Sequence, residues 1–229
     1  MIAEPVLSAA GIIELSPAYT NRLKELCEER GLLLIFDEAQ TAFGRVGANF
    51  AFEDYEIQPD LLTLSKTLGG GLPLAATLCS KELEELCYER GFVYITSHVS
   101  DPICAAVGVS TLSILLEEKM AEQAASKGAY LKQQLIALQE RHECIGDVRG
   151  RGLLLGVEIV KDRESKAPDP DLGNSISDRC LELGLSMNIV RIKGYAGVFR
   201  IAPPLTITME EIDLGVSILD RAIGDCVGG

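Results

Sequence analysis

The sequence contains no tryptophan and only two histidines, His98 and His142. A mechanism that needs clustered imidazoles is therefore excluded, and many hydrolases with it. Its seven cysteines (27, 79, 87, 104, 144, 180 and 226) form no C-x-x-C pair and are odd in number, which argues against both a zinc cage and a disulfide framework. Reduced thiols are expected, in the cytoplasm or an organelle matrix. Basic residues are in deficit, with 21 Lys and Arg against 34 Asp and Glu for a formal net charge of −13. Nucleic-acid affinity comes mostly from Lys and Arg displacing counterions, so no nucleic-acid partner is expected. No apolar run reaches bilayer length, and Glu4 follows too soon on a start without basic residues for a secretory leader. Neither a membrane span nor a signal peptide is expected.

What is present is globular in kind. The 229 residues are 47% hydrophobic and 24% charged, enough for one large domain or two modest ones. Ser16-Pro17 offers an N-cap with proline at the first helical position, and Leu23, Leu26 and Cys27 fall on one side until Gly31, which predicts a helix. Leu32 to Phe36 then reads as a strand buried on both faces and ending at Asp37, where an open α/β sheet presents its crevice. Leu61 to Ser65 repeats that grammar and runs into Lys66, and the glycines 69–71 turn the chain toward a third apolar run, 74–79. Ser80 is placed to cap a short helix over 81–90, and Asp101-Pro102 to open one reaching Glu117. A longer amphipathic pattern continues through Leu131, Leu135 and Leu138, as a bridge between two domains would. Strands are then predicted at 145–149, 153–160, 185–191 and 197–202. A polar loop at 162–172 precedes a helix ending near Gly184, and Thr208 with Glu211 forms a capping box for a last helix. The expected organisation is an α/β piece over 1–118 followed by a bridging helix and a small α+β domain over 119–229.

Two charged side chains, Asp37 and Lys66, each follow a predominantly apolar strand. Read alone, they fit a pair gripping a ligand about as well as a buried structural ion pair. Other readings fail on order. A phosphate-binding loop needs its glycines before the lysine, and 150–156 is not G-x-G-x-x-G and leads into a strand.

Their context carries a resemblance. Asp37-Glu38-Ala39-Gln40-Thr41, then Gly44-Arg45-Val46-Gly47, Pro59-Asp60, and Ser65-Lys66-Thr67-Leu68-Gly69-Gly70-Gly71-Leu72-Pro73 together resemble the class III, fold type I aminotransferases, which use pyridoxal 5'-phosphate (PLP). The resemblance implies a partial fold type I PLP-transferase: part of the large domain's parallel-type sheet, with a small carboxyl-terminal domain. It implies that Lys66 forms the imine with the cofactor aldehyde and that Asp37 pairs with the pyridine nitrogen. It further implies that Ala39 packs beneath the ring, that Gln40 bonds the phenolic oxygen, and that Glu4 lies close by.

Residues 96–102, 144–158, 184–189 and 199–205 look like the 2,2-dialkylglycine decarboxylase branch of that family. Such enzymes release carbon dioxide and a ketone from a disubstituted amino acid, then pass the amino group to an α-keto acid. The likeness implies that Arg200 clamps the substrate carboxylate bidentately. Ser97 would reach the cofactor phosphate of a neighbouring subunit, in a homodimer or higher oligomer. The carbonyls of Ser97 and Val99 with the Asp101 carboxylate match a monovalent-cation site for K+ or Na+, while His98 reads as structural. Many ω-aminotransferases carry a glutamate at the position of Ala9, and its absence here favours α-carboxylate substrates. An ω- or acetylornithine-type aminotransferase is the alternative. The resemblance covers only the carboxyl-terminal half of the family's length. The phosphate-binding glycine-rich turn and the stacking aromatic belong to the other half, so completion by a separate amino-terminal half, or a non-catalytic fragment with an assembly role, stays open. A sheet without its neighbouring strands would expose apolar surface and favour association.

Overall fold

The computed structural model describes residues 1–99, 101–189 and 197–228. The chain divides into two compact units, each discontinuous in sequence. The first comprises residues 1–5, 15–44 and 48–120; the second comprises 6–14, 45–47 and 121–229.

In the first unit, β1 (Ile2–Ala3), β4 (Ile35–Asp37), β5 (Leu61–Leu64) and β6 (Ala76–Cys79) form one sheet in that order. β1, β4 and β5 run parallel, and β6 is antiparallel to β5. Helix α1 (Pro17–Glu29) starts where Ser16 accepts from the Tyr19 N–H, as its sequence predicts. Its buried Leu23 and Cys27 pack with Leu34, Phe36 and Tyr55 on one face of the sheet. The strand before Asp37 is shorter than predicted. Leu32 and Leu33 are 49% and 46% exposed, and the Leu34 N–H is taken by the Asp60 carboxylate at 2.7 Å rather than by a ladder partner. Only two residues of the five-residue apolar run, Ile35 and Phe36, thus join the strand, because a side chain claims the backbone first.

Helix α2 (Lys81–Glu89) is capped by Ser80, and α3 (Pro102–Glu117) follows. Leu112 and Leu115 of α3 pack on a core of Ala42, Phe43, Leu64 and Leu68. Elsewhere apolar groups face outward: Ile95 is 81% exposed, Ile103 74% and Val109 67%.

The second unit is built on the antiparallel sheet β7 (Ile145–Arg151), β8 (Leu154–Ile159), β10 (Val198–Ile201) and β9 (Asn188–Ile189). Residues 190 and 191 of the strand predicted over 185–191 lie outside the described residues. Helices α4 (Met120–Arg141), α5 (Pro170–Glu182) and α6 (Met209–Val227) belong to this unit apart from Met120. Buried Leu135, Leu138, Leu155, Phe199 and Ile223 are among its core residues. The capping box at α6 forms as predicted, Thr208 and Glu211 each accepting the other's backbone N–H. A short ladder of β2 (Val6–Leu7) and β3 (Ile13–Glu14) completes the unit. Among the described residues no helix is long and apolar enough to cross a membrane.

Candidate active site

The parallel ladder decides which groups meet in the first unit. Side chains alternate along a strand, so Phe36, fully buried against α1, sends Asp37 to the opposite face. The register Ile2↔Ile35 and Ala3↔Phe36 sets Glu4, just past β1, level with Asp37. On the other side Asp37 pairs with Thr63, and Lys66 follows two residues after β5 ends. Glu4, Asp37 and Lys66 therefore stand at the carboxyl ends of three adjacent parallel strands, where open α/β sheets bind ligands.

Lys66 is exposed and has a left-handed backbone, φ 51°. That conformation costs a residue with a side chain about 1–3 kcal/mol and concentrates at functional sites. It opens the 3-10 turn Lys66–Gly69, whose Leu68 is buried in the core that α3 covers. Gly70 follows with φ 55°, and a Cβ there would come within 2.7 Å of Thr111 Oγ1 on α3. Glycine is thus required by both conformation and space. Among the described residues Lys66 makes no ion pair, with Asp37 or any other group, so the structural salt bridge does not form. Asp37 Oδ1 accepts the Ala39 N–H at 3.1 Å, and its other oxygen has no partner among the described residues. Ala39 and Gln40 are half-buried in the segment that follows.

Two residues at these strand ends carry no sequence signal strong enough to mark them. Thr63 has a buried hydroxyl oxygen without a hydrogen-bond partner among the described residues. Glu38 is fully buried, and its carboxylate accepts from the Thr41 hydroxyl and the Ala51 N–H, each at 2.8 Å, and from the Phe52 N–H at 2.9 Å. The threonine three residues after the acid is the one trace of this clamp in the sequence.

Ser97 and Val99 are exposed, and Ser100 between them and Asp101 lies outside the described residues. Asp101 holds the N-cap position of α3 without a side-chain cap bond. Its carboxylate lies instead 2.9 Å from His98 Nδ1. A cavity of about 800 Å³, lined in part by Lys24, Leu33, Phe52, Asp60 and Leu83, opens at the amino ends of β4 and β5. It is remote from Asp37 along the strands.

Arg200 belongs to the second unit. It sits on β10 opposite Gly156, where a Cβ would come within 3.1 Å of Ile12. The glycine lets the 8–12 segment lie close to the sheet, and Ser8 Oγ, in a buried residue, comes 3.5 Å from Arg200 Nη1. Ala9, next along the chain, is exposed. The Arg200 guanidinium has no ion pair among the described residues. In the same unit Arg45 donates to the Leu153 and Pro203 carbonyls at 3.1 and 2.5 Å, and burial pushes its pKa down.

The chain is similar to known proteins in sequence and in fold. The sequence model of the aminotransferase class-III family matches residues 1–223. The chain is 50% identical over 223 residues to an uncharacterized aminotransferase of Schizosaccharomyces pombe, covering 97% of this chain and 50% of that protein. It is 38% identical to the mitochondrial alanine–glyoxylate aminotransferase 2 homolog 2 of Arabidopsis thaliana, over 97% of this chain and 46% of that one. A crystal structure of a Bacillus anthracis aminotransferase superposes with a TM-score of 0.93 at 34% identity, covering 98% of this chain and 52% of the other. The chain spans about half the length of the curated relatives it matches. With the family model matched over residues 1–223 and the fold shared at a TM-score of 0.93, the chain belongs to the class-III aminotransferases.

Proposed function

We propose that the chain supplies the covalent and electronic anchors of a PLP site, and that its reaction is decarboxylation and transamination of 2,2-dialkylglycines with an α-keto acid as acceptor. The observation that carries this reading is the placement of Asp37 and Lys66 at adjacent parallel strand ends, unpaired with each other. The residues fit the cofactor. Among the described residues one Asp37 oxygen is spare and the buried Thr63 hydroxyl beside Asp37 has nothing to bond, while the Lys66 amine is accessible.

When bound, PLP supplies a conjugated ring that takes up the electron pair of the bond broken at the substrate α-carbon. Asp37, through the oxygen that Ala39 leaves free, would hold the proton on the pyridine nitrogen. Lys66 would bind the cofactor covalently and move the α-carbon proton at Nζ in the transamination half. Ala39 and Gln40, next along the chain, would contact the ring and its phenolic oxygen. Glu4, level with Asp37, would border the substrate. Arg200 would hold a substrate carboxylate, and two features support that role: no acid among the described residues pairs with it, and its neighbour Ser8 is neutral. An α-carboxylate then suits both half-reactions, which favours the decarboxylase reading. In an oligomer Ser97 would donate to the phosphate of a neighbouring subunit's cofactor. A K+ or Na+ ion at the Ser97 and Val99 carbonyls would compete with His98 for the Asp101 carboxylate.

The test is to incubate the protein with PLP, 2-aminoisobutyrate and pyruvate. Equimolar carbon dioxide, acetone and alanine are expected, with none formed by Lys66→Ala. Amino transfer without carbon dioxide would instead support the second reading, an ordinary class-III aminotransferase, which the alanine–glyoxylate aminotransferase relative favours. If PLP gives no imine absorbance and leaves no adduct on Lys66 after borohydride reduction, the third reading, a non-catalytic fragment or assembly subunit, gains.

A further inference from the structure

We propose that Glu38 is a positioning residue that fixes the spacing between the Asp37 carboxylate and the Lys66 amine; the inference rests on the PLP reading above. Glu38 is joined to its surroundings at both backbone and side chain. Its N–H donates to the Thr63 carbonyl at 3.0 Å, tying the end of β4 to β5 three residues before Lys66, and its own carbonyl accepts from the Ala42 N–H at 3.1 Å. The carboxylate receives the Thr41 hydroxyl and the Ala51 and Phe52 N–H groups. Those two amides begin the 3-10 helix Ala51–Tyr55, whose Tyr55 packs edge-on to Phe36 at a centroid distance of 6.2 Å. Residues 37–42 are therefore bound to β5 on one side and to the 51–55 helix on the other.

A carboxylate with no exposed surface is a costly way merely to fill space, and apolar side chains of similar volume often hold a fold as well. What it adds is direction, because three donors converge on two oxygens and fix the course of the chain that leaves Asp37. Asp37 lies on the opposite face from Phe36, and a turn of that backbone swings its carboxylate across the strand ends. Glu38 touches neither cofactor nor substrate in this account. It acts through Asp37.

The test uses Glu38→Gln, which keeps the shape but turns an amide NH2 toward groups that are themselves donors. Loss of a hydrogen bond to a charged acceptor is expected to weaken PLP affinity about tenfold or more, read by titrating absorbance. The pH midpoint of the bound-cofactor absorbance should also shift, since Asp37 no longer meets the pyridine nitrogen squarely. A clamp that served stability alone would lower the melting temperature and leave affinity and midpoint unmoved, and that result overturns the proposal. Thr41→Val, nearly isosteric, removes one donor and should move both readouts the same way by less. If Glu38→Gln does not fold, unchanged affinity and midpoint in Thr41→Val overturn it instead. Uptake of PLP by the wild type with unaltered variants sinks the Glu38 role alone, whereas no uptake by the wild type sinks the PLP reading and this inference with it.

Discussion

Thr63 stands opposite Asp37 in the β4–β5 ladder, and its hydroxyl oxygen is buried without a hydrogen-bond partner among the described residues. An unmet buried polar group costs about 1–3 kcal/mol. Thr63→Val, which keeps the β-branched shape, is therefore expected to raise the stability of the cofactor-free protein by about 1 kcal/mol. The same change should weaken PLP binding, because the hydroxyl faces the side of the sheet that bears Asp37. Denaturation with and without PLP checks both halves. A variant that is no more stable without PLP would show that water or a rotamer change satisfies the hydroxyl.

Backbone strain at Lys66 gives a prediction independent of the reaction. At φ 51° alanine bears nearly the same penalty as lysine, whereas glycine bears almost none. Lys66→Gly should therefore be more stable than Lys66→Ala by about 1 kcal/mol, after allowance for the entropy glycine adds to the unfolded chain. Urea midpoints of the two variants decide it, and equal midpoints would mean that the turn is not held in the left-handed region.

Helical glycines in the second unit should respond to alanine with opposite signs. Gly215 of α6 borders a cavity of about 100 Å³, and an added Cβ would meet only Leu185 Cδ1, at 3.9 Å. Gly215→Ala is expected to stabilise by about 0.5–1 kcal/mol from helix propensity. Gly128 of α4 lies against backbone instead, where a Cβ would fall 2.1 Å from the Gly152 carbonyl oxygen. Gly128→Ala should destabilise by about 1–3 kcal/mol through overpacking. Thermal melts of the pair test the packing of α4 and α6 at once.

The contrast between these glycines also marks what the sequence could convey. Ser16, Ser80 and Thr208 act on amides three residues away, so their helices were legible from local spacing. That Asp37 and Lys66 stand at strand ends was legible because each follows an apolar run. Leu32 and Leu33 misled, since an apolar run does not reveal that Asp60 captures the Leu34 amide from 26 residues away. Glu38 was passed over for the same reason: Ala51 and Phe52, which give it meaning, are 13 and 14 residues on. Ser8 carried no local signal either, because its contact with Arg200 across 192 residues depends on where Gly156 lets the 8–12 segment lie.

Cys180 of α5 links this packing to pH. Burial first, and the neighbouring Cys226 second, push its thiol from an ordinary value of 9.0 up to about 11. Below the unfolded value the thiol is protonated in both folded and unfolded chains, so the folded state keeps its full advantage. As pH rises from 9.0 toward about 11, the unfolded chain releases a proton that the folded chain retains, and stability is lost across that window. Lysines and tyrosines titrate there too, so the difference between wild type and Cys180→Ala isolates the thiol. The variant starts lower by a pH-independent cavity term of about 1–2 kcal/mol, and its urea midpoint should then fall less steeply than that of the wild type. Cys144 and Cys226, also raised chiefly by burial, leave a residual slope. Midpoints that stay parallel across the alkaline range would mean that Cys180 ionises equally well in both states, and that the contact between α5 and α6 admits water at the thiol.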